Sequence, residues 1–468
     1  MGFVLTILYL VTYYLTPTTV FGPLAPFHIE LILAVLALFV SLPALPKSII
    51  LKTPQTLALI GLAIAVICSV LIAVRWAGGA LNAFLGFVPN AFAYFLVCLH
   101  CNSKKRLQVL VLMFLFVCLF VIAHGYIDLI HGVPQGSSPR SGATESTGMN
   151  LWDIQHPYLL AMQSDAKEWF YRLRGVGEIN DPNDFGQLIV CTVPLMFIFW
   201  RTKKMIRNIF CVILPVSVLF FGIYLTHSRG ALLALMAVAI MAMRRRIGTL
   251  PALFVAGGLF VAASALHFTG GREISAESGA DRTGLWGTGL DMLKAHPLFG
   301  VGFGNFADEC GGCGHTAHNS IVVCAAEIGL FGLYFWSLFL LPTLRDAFMI
   351  ASPAKVSEGE PVADEEEPFA QSAKKIETLD KAEINRLGRL AVLSLTGFLV
   401  AGMFLSRAFV LTLFLLGGIA EVIFEMGLRR GMIAPRLRLT RVLLYAGGLA
   451  ISLVALMYVM IRILNLMH

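Results

Sequence analysis

Residues 104–127 read KKRLQVLVLMFLFVCLFVIAHGYI. Three cations precede a run long enough to cross the hydrocarbon core of a bilayer, for which a helix needs about 20 apolar residues. Lys104, Lys105 and Arg106 also mark an end, because short loops rich in lysine and arginine stay on the cytoplasmic side. The same pattern recurs along the chain. Candidate spans fall at 3–21, 28–45, 55–74, 80–100, 107–127, 185–200, 207–225, 230–243, 250–268, 318–342, 389–405, 407–427 and 442–464, roughly 13 crossings. The composition agrees, with 57% hydrophobic residues, 13% charged ones and a mean hydropathy of +0.79. The predicted fold class is all-α: a polytopic integral membrane protein of about 12–13 transmembrane helices with two long periplasmic loops.

Basic residues cluster between alternate spans: Lys47 and Lys52; Lys104 to Arg106; Arg201, Lys203, Lys204 and Arg207; Arg244 to Arg246; Arg429, Arg430, Arg436, Arg438 and Arg441. One parity places them all inside, which puts the N-terminus inside and loops 128–184 and 269–317 outside. Spans 185–200 and 230–243 are short for a bilayer, so tilt or partial re-entrance is expected of them. The first segment has neither a basic leading region nor a small-residue cleavage site, and reads as an anchor. The chain divides into N-terminal transmembrane helices (1–127), a first periplasmic loop (128–184), central transmembrane helices (185–268), a core of periplasmic loop plus helix (269–345), an acidic cytoplasmic loop (346–388) and C-terminal transmembrane helices (389–468). In that acidic loop Glu358, Glu360, Asp364, Glu365, Glu366 and Glu367 precede a mixed-charge run, a solvated connector that ends in a short helix. The net charge of +7 follows from orientation and is no argument for nucleic acid. No internal repeat of the kind that marks many transporters is visible.

Six of the nine cysteines lie in apolar spans and behave as small hydrophobes, and Cys101 sits near the cytoplasmic face. Cys310 and Cys313 fall in the second outside loop, where an oxidising exterior favours a disulfide that stiffens the approach to His318. Two other readings stay open: free thiols, or a tetrahedral metal site from Cys310, Cys313, His315 and His318.

Charged residues near the outer ends of spans carry the chemistry. Arg229 stands in a tight turn, Leu225-Thr226-His227-Ser228-Arg229-Gly230, where a cation meets either a lipid-linked phosphate or membrane headgroups. Arg282 precedes an amphipathic helix expected over Trp286 to Ala295, resting on the membrane surface. Arg172 and Arg174 close the first outside loop, and Asp181 or Asn183 caps the helix that follows. The alternating Gly300, Gly302 and Gly304 follow no strand, so they read as a close-packed turn and not as a dinucleotide loop. His318, followed by Asn319 and Ser320, opens a span near several arginines, which lower its proton affinity and fit it to act as a neutral base. Glu327 is an ionisable group within a span, a functional candidate by default or a hydrogen-bonded packing group.

Together Arg174, Pro182-Asn183-Asp184-Phe185, His227-Ser228-Arg229-Gly230, Asp281 to Trp286, the block His296 to Phe306 and the run from His318 to Trp336 resemble the bacterial O-antigen ligase and O-antigen polymerase superfamily. The resemblance covers roughly residues 170–345, and the flanks match only in being membrane spans. It implies a metal-independent, inverting glycosyltransferase without cofactors that moves a glycan from undecaprenyl pyrophosphate to an acceptor at the periplasmic face of the inner membrane. It assigns Arg229, Arg282 and His318 as catalytic; Arg172, Arg174, Asn319 and Glu327 are taken as substrate-binding. The implied acceptor is a lipid A core sugar in a ligase, another lipid-linked glycan in a polymerase, or a protein, with membrane lipids around it. The Cys310/Cys313 turn is not part of the family pattern. A reading of a different class is a transporter or flippase whose arginines bind phosphate without catalysis, although the charge gathers at one face and not at midplane.

Overall fold

The computed structural model describes residues 1–20, 22–47, 50–131, 156–163, 169–265, 268, 276–351, 368–433 and 436–467. Among them are nine helices long and apolar enough to cross a membrane. With their neighbours they run in chain order as α1 (Gly2–Leu15), α2 (Ile29–Ser41), α3 (Pro54–Ala73), α4 (Ala77–His100), α5 (Lys104–His131), α6 (Pro182–Met196), α7 (Met205–Thr226), α8 (Arg229–Ile247), α9 (Thr249–Ala265), α10 (Ala276–Ala295), α11 (Ser320–Ala351), α12 (Pro368–Gly402), α13 (Leu411–Arg429) and α14 (Leu439–Met467). Every span expected from the sequence is a helix. Four of them miss the length or polarity of a full span: α1, α2 and α9 are shorter, and α8 begins at Arg229 and ends in Arg244, Arg245 and Arg246. Carried on through those arginines, α8 covers 19 residues, about 28 Å at 1.5 Å per residue, close to the thickness of the hydrocarbon core.

The most enclosed helices are α6 and α13, each 83% buried over its apolar window, while α14 at 22% lies on the outside. Apolar side chains on α14 such as Leu444, Ile451 and Leu456 are exposed, as expected of a face turned to lipid. Polar contacts separate the two ends of the bundle. At one end Lys104 pairs with Glu383, Arg386 donates to the Trp200 carbonyl and Arg436 pairs with Glu421. At the other end lie the starts of α6, α8 and α11 and the ends of α1, α5, α7 and α12.

Helix α11 is broken. Gly329 has φ 66° and ψ −168°, a conformation open almost only to glycine. The break frees backbone groups that lipid cannot satisfy, and the glycine-rich loop supplies the partners. Val301 and Gly302 donate to the Ala326 and Glu327 carbonyls at 2.9 and 3.0 Å, and Leu330 and Phe331 donate to the Pro297 and Leu298 carbonyls at 2.9 and 3.1 Å. Gly300 is required by proximity: a Cβ there would sit 2.5 Å from the Glu327 carbonyl carbon. The Glu327 carboxylate, 5% exposed, accepts the Gly304 and Phe306 N–H groups, and Phe303 N donates to Ser69 Oγ on α3 at 3.1 Å.

Three local features differ from the expectations. The first outside loop contains a two-stranded antiparallel hairpin, β1 (Leu159–Gln163) and β2 (Trp169–Leu173). The surface helix starts at Ala276 instead of Trp286, so Arg282 lies within α10 and not at its head. Helix α12 begins at Pro368, so the short helix expected at the end of the acidic segment is continuous with the span that follows. The glutamate-rich stretch 352–367 lies outside the described residues.

Candidate active site

The site is assembled at the end of the bundle opposite the paired basic loops, and its foundations are helix starts. Asp181 caps α6, accepting from Asn183 N at 2.7 Å, with Pro182 at the first helical position. Ser228 caps α8, its Oγ accepting from Ala231 N at 3.2 Å and donating to Asn183 Oδ1 at 2.8 Å. The close approach of α6 and α8 depends on Gly186, where a Cβ would come within 2.8 Å of Ala231 Cβ. His227 completes the turn in the left-handed region at φ 46°. Arg229, half-buried, is thereby the first residue of α8.

Asn319 caps α11: its Oδ1 accepts from Ile321 N at 3.0 Å and Val322 N at 3.3 Å. His318 precedes it at φ 49°, held by its own N–H, which donates to Ser406 Oγ at 2.8 Å. Ser406 Oγ in turn donates to Thr316 Oγ1 at 2.7 Å. Helix α10 is tied to the same approach by the Trp286 indole, which donates to the Ala317 carbonyl at 2.8 Å. Arg282 lies one turn before Trp286 on the same helix. Cys310 and Cys313 form a disulfide in the preceding turn.

Burial and neighbouring charges act together at this end of the bundle. His318 has its proton affinity lowered, first by burial and then by the Arg282 charge, with Asp181 opposing and His315 adding a little. The Arg282 pKa is itself lowered, first by burial and then by Arg229. Arg229, Arg282 and His318, drawn from the starts of α8 and α11 and the body of α10, thus form one half-buried chain of mutual influence. Two cations at close quarters in a partly desolvated site destabilise each other, and an anion between them relieves both.

The sequence reading missed Arg407. It lies in the 403–410 turn between α12 and α13, donates from Nε to Asp184 Oδ2 at 2.7 Å and pairs with that carboxylate, which is 5% exposed. Its own N–H donates to Ser320 Oγ at 3.0 Å, and that hydroxyl donates to the Leu405 carbonyl at 2.7 Å. Burial works against the Arg407 cation, but Asp184, Glu178 and Asp181 outweigh it and raise its pKa. Glu178 is held above the usual carboxylate range by burial, moderated by Arg407 and by the Tyr13 hydroxyl, which donates to it at 3.3 Å.

The other expected substrate contacts are turned to internal partners. Arg172, 3% exposed, donates from Nε to the Thr226 carbonyl at 2.9 Å and from Nη2 to Asn183 Oδ1 at 3.0 Å, fastening β2 to the α7–α8 turn. Arg174 donates from Nε to the Pro157 carbonyl at 3.2 Å. Asn319 is a cap, and Glu327 clasps the glycine-rich loop. Among the described residues no group of three or more His, Cys, Asp or Glu is arranged to hold a metal ion.

Residues 214–337 match the family model described as O-antigen ligase, and the match supports membership of the O-antigen ligase superfamily. No curated protein matches the chain. The matched segment contains Arg229, Arg282 and His318 and supports an O-antigen ligase-like or polymerase-like membrane glycosyltransferase. Arg172, Arg174, Asp184 and Arg407 lie outside it.

Proposed function

We propose that this chain, whose residues 214–337 match the O-antigen ligase family model, transfers a glycan from undecaprenyl pyrophosphate to an acceptor sugar hydroxyl at the periplasmic face of a bacterial inner membrane. What supports the reading is that Arg229, Arg282 and His318 come from three separate elements of one end of the bundle, with the Arg229 charge acting on Arg282 and the Arg282 charge on His318. The positive-inside rule supports the outer face, because the basic loops gather at the opposite end.

In this reading the donor diphosphate binds across the Arg229 and Arg282 guanidinium groups, whose planar donors suit its oxygens. His318, its proton affinity lowered, is neutral near pH 7 and takes the proton of the acceptor hydroxyl. The freed oxygen attacks the anomeric carbon from the side away from the leaving group. The new C–O bond forms as the bond from the anomeric carbon to the phosphate oxygen breaks, and its electron pair passes to the diphosphate. The arginines stabilise that charge as it develops. One displacement inverts the anomeric centre. Charge compensation is assigned to the two arginines, so the reading needs no metal. Binding the dianion also offsets the arginine field at His318, which makes the base stronger once the donor is in place.

The acceptor is either a lipid A core sugar or the end of another lipid-linked glycan. Proteoliposomes supplied with undecaprenyl-pyrophosphate glycan, in chelator, with lipid A core or with excess donor, decide both points. Product with one acceptor that disappears in Arg282→Ala and His318→Ala supports the reading and chooses its branch. Movement of the donor across the membrane without a new glycosidic bond overturns it in favour of transport.

A further inference from the structure

An open-sided cavity of about 1210 Å³, lined by α6, α7, α8, α9, α11 and α12, runs along α8 from Leu232, one turn from Arg229, to Arg246 at the end of the bundle opposite the site, larger than the roughly 300–1,000 Å³ of ordinary small-molecule sites. One side is a stripe of α8 in which Leu232, Leu235, Met236, Ala239 and Met243 recur at helical spacing. At its mouth stand Arg244, Arg245, Arg246, Arg386 and Arg389. Helix-end carbonyls draw three of them there: Arg245 Nη1 and Arg389 Nε donate to the Ala351 carbonyl at 3.2 and 3.4 Å, and Arg386 Nη1 to that of Trp200 at 2.9 Å. Arg244 and Arg246 flank Arg245 and are exposed. Among the described residues Glu383 lies 3.5 Å from Arg386 and is also paired with Lys104.

We propose that this cavity holds an anionic glycerophospholipid of the leaflet at the basic end of the bundle, its phosphate among the five arginines and its acyl chains along the α8 stripe. The polarity of the cavity runs in the order of such a lipid, cationic at the interface and apolar inward, and the charge is complementary. A donor seated at Arg229 does not account for the arginines: Arg244 is 15 positions further along the same helix, about 22 Å at 1.5 Å per residue.

The test is lipid binding by the full chain in detergent, read as a saturable rise in melting temperature, and it needs no glycosyl transfer. Its failure is therefore distinct from failure of the enzyme reading. Dioleoyl-phosphatidylglycerol is expected to stabilise saturably, while dioleoyl-phosphatidylcholine, with the same chains, and inorganic phosphate do not. Arg244→Gln/Arg246→Gln, which removes two exposed charges, is expected to weaken phosphatidylglycerol about tenfold or more, and Ala239→Trp, which obstructs the α8 stripe, to weaken it likewise. Equal stabilisation by the two lipids, unchanged binding by both variants, or displacement of phosphatidylglycerol by undecaprenyl phosphate would each overturn the proposal.

Discussion

Replacing Gly329 by alanine tests the broken helix directly. An added Cβ would lie 2.5 Å from the Leu298 carbonyl carbon and 2.6 Å from Phe299 N. Both are backbone atoms, so no side-chain rotation relieves the overlap, and the loop and the helix must part. Parting them breaks the four backbone hydrogen bonds that join residues 297–302 to 326–331, about 0.5–1.5 kcal/mol each and so about 2–6 kcal/mol together. Any alanine that stays at φ 66° and ψ −168° adds about 1–3 kcal/mol of strain. The lower bounds sum to about 3 kcal/mol. Denaturant unfolding in mixed micelles reads the total, and hydrogen exchange reads the Val301 and Gly302 amides locally. Glycan transfer is expected to fall about tenfold or more, because the loop positions Phe306, against which Gly289 of α10 packs, and α10 carries Arg282. Gly448→Ala on α14, where an added Cβ meets nothing within 4 Å, is the control and is expected to change stability by about 1 kcal/mol or less. A Gly329 variant that unfolds like this control, with both amides still protected, would refute the part assigned to the break in α11.

Arg407→Ala leaves Asp184 as a buried uncompensated charge and is expected to cost about 3–5 kcal/mol; Asp184→Asn/Arg407→Gln should restore most of that in the same unfolding assay, and equal damage in single and double variants would remove the pair from the argument. Because His318 has its pKa lowered from the ordinary 6.5, its base form persists below pH 6.5, so kcat/KM for donor is expected to decline only on further acidification. Arg282→Gln removes one lowering cause, and the acid limb should move upward; a limb that stays in place or moves down contradicts the assigned contact. Arg229→Lys and Arg282→Lys keep the charge and lose the planar fork, and each is expected to lower kcat about 10²–10³-fold in the transfer assay, a result refuted by wild-type turnover.

What could be read in the sequence was local. Spans follow from runs of apolar residues, and Arg229, Arg282 and His318 stood out as polar groups at their outer ends. Arg407 fell on the first residue of an expected span, 407–427, where it read as a helix end, and its partner Asp184, 223 positions earlier, was read only as part of the Pro182–Phe185 segment. The pairing exists only once α6 and α12 are side by side. Leu159–Gln163 and Trp169–Leu173 are apolar and aromatic runs of strand length, a signal that a search for spans passes over. The helix expected from Trp286 begins at Ala276 and runs through Gly279 and Gly284, residues of poor helix propensity that packing on α11 overrides. Gly329 resembled any other small residue in a membrane helix, because its role depends on a loop that returns to meet it.

The clasp between Arg407 and Asp184 also sets a timetable. A ribosome delivers Asp184 to the membrane 223 residues before its cation, an interval of roughly 10–45 seconds at about 5–20 residues per second. Throughout it, the turn that will fix Ser320 and the His318 amide does not exist. A nascent chain that has just gained His318 must therefore add 89 more residues before Arg407 arrives, and the site proposed here is ordered by one of the later turns to be made.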